Sequence, residues 1–93
     1  MNPALSSASI VDMMVGVQNM IEASDIRKGD QILILADRRS DPVTVEALSV
    51  GLTAMGAHPM ELVTEPIGRY GVVPQPVINA MEASDIVIWV WPV

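Results

Sequence analysis

Cysteine is absent from the chain, which removes disulfides, thiolate nucleophiles and sulfur-bound metals from consideration. That fits a reducing compartment, and a cytoplasmic location is expected. Phenylalanine is absent too, and two Trp and one Tyr make up the whole aromatic complement. Seven Met take their place; flexible thioethers fill irregular gaps without the defined shape that rings impose. Positive charge is scarce: Arg27, Lys28, Arg38, Arg39 and Arg69 face eleven acids, for a net charge of −6. No cationic stripe is available to neutralise phosphates along a duplex, so nucleic acid is not an expected partner. Long apolar runs are missing as well, none reaching the ~18–20 residues of a membrane span. The Met1-Asn2-Pro3-Ala4-Leu5 start lacks the basic region and apolar stretch of a secretory signal. Neither a membrane span nor a targeting segment is expected.

What is present is a greasy small chain, 93 residues long, 51% hydrophobic and 17% charged, with a mean hydropathy of +0.41. A domain of this size has a large surface to cover with polar groups. Part of the apolar surface is therefore expected to meet another segment or subunit. The length allows one domain, residues 1–93.

The apolar positions Ile10, Met13, Met14, Val17, Met20 and Ile21 recur at three- and four-residue steps and predict a helix from Ser9, its N-cap, to Ala23. Lys28-Gly29-Asp30 turns the chain into Gln31-Ile32-Leu33-Ile34-Leu35-Ala36, apolar on both faces as a central parallel strand requires. Asp41 caps a second helix with Pro42 in its first turn, running to about Met55 on a stripe of Val45, Leu48, Leu52 and Met55. A second strand, His58 to Thr64, carries a proline and a glutamate that suit an edge. After a loop from Glu65 to Val73, a short helix spans Pro76 to Ala83, and Asp85 to Val93 forms a last strand almost without polar side chains. The pattern is α/β: a three-layer βαβαβ half of a doubly wound parallel sheet, Rossmann- or flavodoxin-like, in the order second, first, third. That order leaves the greasiest strand at an edge, where charge or proline is normally placed. The sheet reads as unfinished, completed either by further strands of a longer two-domain parent, the expected case, or by another chain. The segment Ile21-Glu22-Ala23-Ser24-Asp25-Ile26 is echoed by Met81-Glu82-Ala83-Ser84-Asp85-Ile86, a convergence of two helix ends on capping residues rather than a repeat.

Ligands of open α/β sheets collect beyond the carboxyl ends of the strands, where the strand order reverses. Here that crevice would be lined by Asp37, Arg38, Arg39 and Ser40 and by Trp91 and Pro92. Arg38, Arg39, Ser40 and Trp91 are the candidate substrate-binding residues, because an arginine beside a helix N-terminus can hold a carboxylate or phosphate. The alternative is that the arginines pair with Asp37 or Asp41 or are solvated. No glycine follows the first strand to admit a pyrophosphate, so a dinucleotide is not expected. His58, the single histidine, has no partner at metal-ligand spacing and reads as structural. The acids Asp12, Asp25, Asp30, Asp41 and Asp85 fall at caps and turns, so no catalytic residue and no metal ligand is assigned.

Lys28-Gly29-Asp30-Gln31-Ile32-Leu33-Ile34, Ser40-Asp41-Pro42-Val43-Thr44-Val45-Glu46-Ala47-Leu48, Met55-Gly56-Ala57 and Glu82-Ala83-Ser84-Asp85-Ile86-Val87-Ile88 together resemble a known scaffold. It is the N-terminal domain of the aminopeptidase T-like metalloenzyme family, which includes the dihydroxypyridine ring-cleaving dioxygenases. The resemblance implies a larger second domain holding a divalent metal, iron or zinc, through histidine and carboxylate ligands that have no counterpart in this segment. It also implies homo-oligomers. On that basis the chain is expected to border the substrate cleft of a metal-dependent dioxygenase or aminopeptidase-like hydrolase acting on a small molecule, the isolated segment being inactive. The Ser40-Asp41-Pro42 start is closer to the dioxygenase branch. The competing expectation is a non-catalytic binding or assembly module that completes its sheet with a partner chain.

Overall fold

A computed structural model of the chain describes residues 7–66 and 72–90, with the side chains of residues 7–14 left aside. The elements are α1 (Ser7–Ala23), β1 (Gln31–Asp37), α2 (Pro42–Ala54), β2 (His58–Thr64), α3 (Gln75–Glu82) and β3 (Ile86–Trp89). The three strands form one parallel sheet in the order β2-β1-β3. β1 is central because its side chains can be buried on both faces. Ile32, Ile34 and Ala36 join Val17 and Ile21 of α1 and Val45, Leu48 and Leu52 of α2 in one core. Leu33 and Leu35 alternate to the other face and are equally buried, as is Val77 of α3, which makes α3 the cover of the second face. Two helical layers around a sheet and a β1 flanked on both sides are the expected α/β half-fold.

β2 tolerates Pro59 for a geometric reason. The His58 N–H bonds the Asp30 carbonyl across 2.8 Å, so alternate residues 58, 60, 62 and 64 turn their N–H groups toward β1. The nitrogen of Pro59 therefore falls on the open edge, where a missing donor costs nothing. β3 carries no such device: Ile86, Val87, Ile88 and Trp89 pair with β1 along one side only.

α2 starts as its residues dictate. Asp41 accepts from the Val43 N–H at 3.0 Å and from the Thr44 hydroxyl at 3.2 Å, with Pro42 in the first turn. α1 and α2 approach closely because Gly51 has no side chain; a Cβ there would sit 2.7 Å from Val17 Cγ1.

Three element starts differ from expectation. α1 is already helical at Ser7, so Ser9 lies inside the helix and is not its cap. In the run Ser6-Ser7-Ala8-Ser9, several residues are equally able to cap, and side-chain preference alone does not choose among them. α3 begins at Gln75 behind Pro74, one residue earlier than Pro76. β3 begins at Ile86 because Asp85 is drawn off: its carboxylate accepts the Gln31 N–H at 2.7 Å. The end of the expected last strand, including Trp91 and Pro92, lies outside the described residues.

Candidate functional site

Beyond the carboxyl end of β1 the chain makes a tight loop from Asp37 to Asp41. Asp37 organises it: Oδ1 accepts the Arg39 N–H at 2.7 Å and Oδ2 accepts Arg39 Nη2 at 2.9 Å. The Arg39 hydrogen bond holds the Asp37 carboxyl below its ordinary range against an opposing effect of burial, and the same bond raises Arg39. Arg39 is thus committed to its own loop, through a carboxylate whose side chain is only 10% exposed.

Ser40 is buried and closes the seam between β1 and β3. Val90 donates its N–H to the Leu35 carbonyl at 2.8 Å, so a regular parallel ladder would next join the Asp37 N–H to the Val90 carbonyl. Instead the Ser40 hydroxyl stands between them. It accepts from the Asp37 N–H at 3.1 Å and donates to the Val90 carbonyl at 3.0 Å. The ladder is lengthened by one hydroxyl, and both backbone groups stay satisfied.

Arg38 points the other way. It lines a cleft of ≈ 310 Å³ between the start of α2 and the carboxyl halves of β1 and β2. Ala36, Val45 and Val63 supply apolar lining; Asp37, Arg38, Glu46 and Glu61 supply charge. The register Ala36↔Val63 and Ile34↔Glu61 explains the composition, because partners in a parallel ladder share a face and this face lies under α2. Arg38 Nη2 pairs with Glu65, which follows β2, and both side chains are largely exposed, at 68% and 77%.

The cleft therefore opens beside β2, whereas the expected crevice lay between β1 and the last strand. Of the candidate residues, Arg38 and Ser40 line it, Arg39 is not in its wall, and Trp91 falls outside the described residues. Glu46, Glu61, Val63 and Glu65 were not among the candidates. A signal for two of them existed: Glu61 alternates onto the helix-covered face of β2, and Glu46 stands one helical turn after Pro42. His58 is exposed at the amino end of β2, the opposite end of the sheet. Among the described residues, no group of three or more His, Cys, Asp or Glu is placed to hold a metal ion, so the described residues do not fit a metal centre. No described helix is long and apolar enough to cross a membrane.

No family model matches the chain, and no curated protein matches it by sequence. Among solved structures, the fold is similar to that of a 2,5-dihydroxypyridine dioxygenase from Pseudomonas putida KT2440, with a TM-score of 0.68 and 16% identity. The alignment covers 96% of this chain and 29% of that one. At this identity the likeness establishes the fold, and the chain spans less than a third of the solved protein's length.

Proposed function

We propose that this chain is the N-terminal scaffold of a metal-dependent ring-cleaving dioxygenase, and that its carboxyl-end cleft borders the substrate site. The metal is held by residues beyond this segment. The observation that carries the reading is the overlap of nearly the whole chain with part of a dioxygenase, together with a cleft at the ligand-binding end of the sheet. Arg38 is the one arginine of the pair that lines that cleft. Its role is to orient an anionic group of a small-molecule substrate, a contribution to positioning rather than to bond cleavage. The natively expressed protein is then expected to have a mass well above 10.0 kDa, to contain stoichiometric divalent metal, iron above all, and to consume oxygen with a dihydroxylated pyridine. A native product of 10.0 kDa without metal would overturn the reading.

A second reading, a module that completes its sheet with a partner chain, is favoured by one observation. Among the described residues β3 is an edge strand, and its Ile86-Val87-Ile88-Trp89 carries no charge or proline to blunt it. Under this reading the chain is expected to co-purify with a second polypeptide or as an oligomer. Introducing Lys at Val87 should then release the partner.

A further inference from the structure

We infer that Glu65 is a built-in competitor for the cleft's ligand, and that the ligand carries an anionic group for Arg38 together with a cationic or hydrogen-bond-donating group for Glu46 and Glu61. The inference rests on reading the cleft as a substrate border and adds the chemistry of what enters it.

The two arginines of the loop differ in availability. Arg39 is tied to Asp37 by its backbone and its guanidinium at once. Among the described residues Arg38 has a single ion-pair partner, Glu65, which follows the next strand. An ion pair between two exposed side chains contributes little to stability and is readily traded. A carboxylate-bearing ligand entering the cleft can take the place of Glu65 on the planar guanidinium and gain the bidentate geometry that arginine offers. Glu65 thus mimics the ligand's anionic end, and closed and ligand-bound states share one cation.

The rest of the charge in the cleft sets a second requirement. Asp37 is neutralised by Arg39, whereas Glu46 and Glu61 line the cleft and neither pairs with a cation among the described residues. A purely anionic ligand would meet one cation and two carboxylates, and like charges in one site are unfavourable. A ligand with both characters satisfies Arg38 and the glutamates together. A simple cation would meet Glu46 and Glu61 but leave Arg38 on Glu65, and so gains one of the two contacts.

The test is an amide NMR titration of the intact native protein with 4-aminobutanoate, butanoate and butylammonium at fixed ionic strength. 4-Aminobutanoate is expected to shift the signals of Ala36, Arg38 and Val63 and to bind at least about fivefold more tightly than either singly charged probe. Glu65→Gln should tighten it by about two- to fivefold, the worth of an exposed pair, and Arg38→Ala should abolish it. Joint Glu46→Gln and Glu61→Gln substitution should weaken 4-aminobutanoate while leaving butanoate unchanged or tighter. Equal binding of the three probes, no shift with any of them, or Glu65→Gln weakening the complex would overturn the inference. Those outcomes leave the metal content and mass of the native protein untouched, so the two readings fail separately.

Discussion

The two ends of the sheet are fastened by different means. At the amino end, backbone meets backbone: Gly29 N–H to the Gly56 carbonyl at 2.9 Å, His58 N–H to the Asp30 carbonyl at 2.8 Å, and Asp85 N–H to the Gln31 carbonyl at 2.9 Å. Two carboxylates add to the set, Asp85 accepting the Gln31 N–H and Asp30 accepting the Arg27 N–H. At the carboxyl end the work passes to side chains: Ser40 across the β1–β3 seam, Asp37 on Arg39, and Arg38 on Glu65. Backbone bonds tolerate most substitutions and hold a fixed geometry. Exposed side-chain bonds can be exchanged for a ligand. Of these carboxyl-end joints, the Ser40 seam and the Asp37–Arg39 pair are fixed, and the exposed Arg38–Glu65 pair beside the cleft is the exchangeable one.

That contrast can be broken at its strongest point first. Ser40→Ala strands the Asp37 N–H and the Val90 carbonyl, unless β3 shifts to restore a direct bond, and should cost ~1–3 kcal/mol in denaturant unfolding. A loss below the error of the measurement would mean that the seam closes by itself. At the other end, Gly56 adopts φ +93°, and an added Cβ would meet Lys28 Cγ at 2.9 Å. Gly56→Ala should destabilise by about 1–2 kcal/mol, mostly through backbone strain because the lysine can move aside. Binding of probes at the distant cleft should be unchanged.

A smaller effect follows from Asp37. Its carboxyl is held low in the folded chain by Arg39, so its contribution to stability is present above its unfolded value, near 3.8, and is lost as pH falls through the lowered folded value. Replacing Arg39 by Ala should move the Asp37 titration, followed by NMR, back up toward the ordinary carboxylate range, and the acid limb of the stability curve should shift with it. The smallest expected change is in Arg38→Ala. An exposed ion pair is lost, and unfolding should move by no more than about 0.5 kcal/mol, which separates a residue kept for a ligand from one kept for the fold.

Much of this architecture can be read from residues. Gln31-Ile32-Leu33-Ile34-Leu35-Ala36 has nowhere to be but the middle of a covered sheet, and Pro59 and Glu61 mark an edge; together with right-handed crossovers these favour the order β2-β1-β3 that the structure has. The Asp41-Pro42 start of α2 is equally local. The echoed segments show how far local chemistry goes: Ser24 and Ser84 each donate a hydroxyl hydrogen bond to the carbonyl four residues back, at 2.7 and 2.6 Å. They close two helices in the same way. The chain then diverges, Asp25 taking a positive φ of 55° into a turn while Asp85 reaches across to β1. What could not be read depends on distance. Arg38 finds Glu65 across 27 residues, and the cleft falls beside β2 because Ser40 has already filled the gap beside β3. Neither fact is written in the local sequence of the loop.

The most direct test of the account is a side-by-side measurement of kcat/KM for Arg38→Ala and Arg39→Ala in the intact native protein, with a dihydroxylated pyridine bearing a carboxylate as substrate. The account predicts that Arg38→Ala lowers it by about tenfold or more, the worth of one charge-assisted contact, while Arg39→Ala leaves it nearly unchanged. Equal losses in the two variants, or none in either, would contradict the claim that Arg38, and not Arg39, meets the substrate.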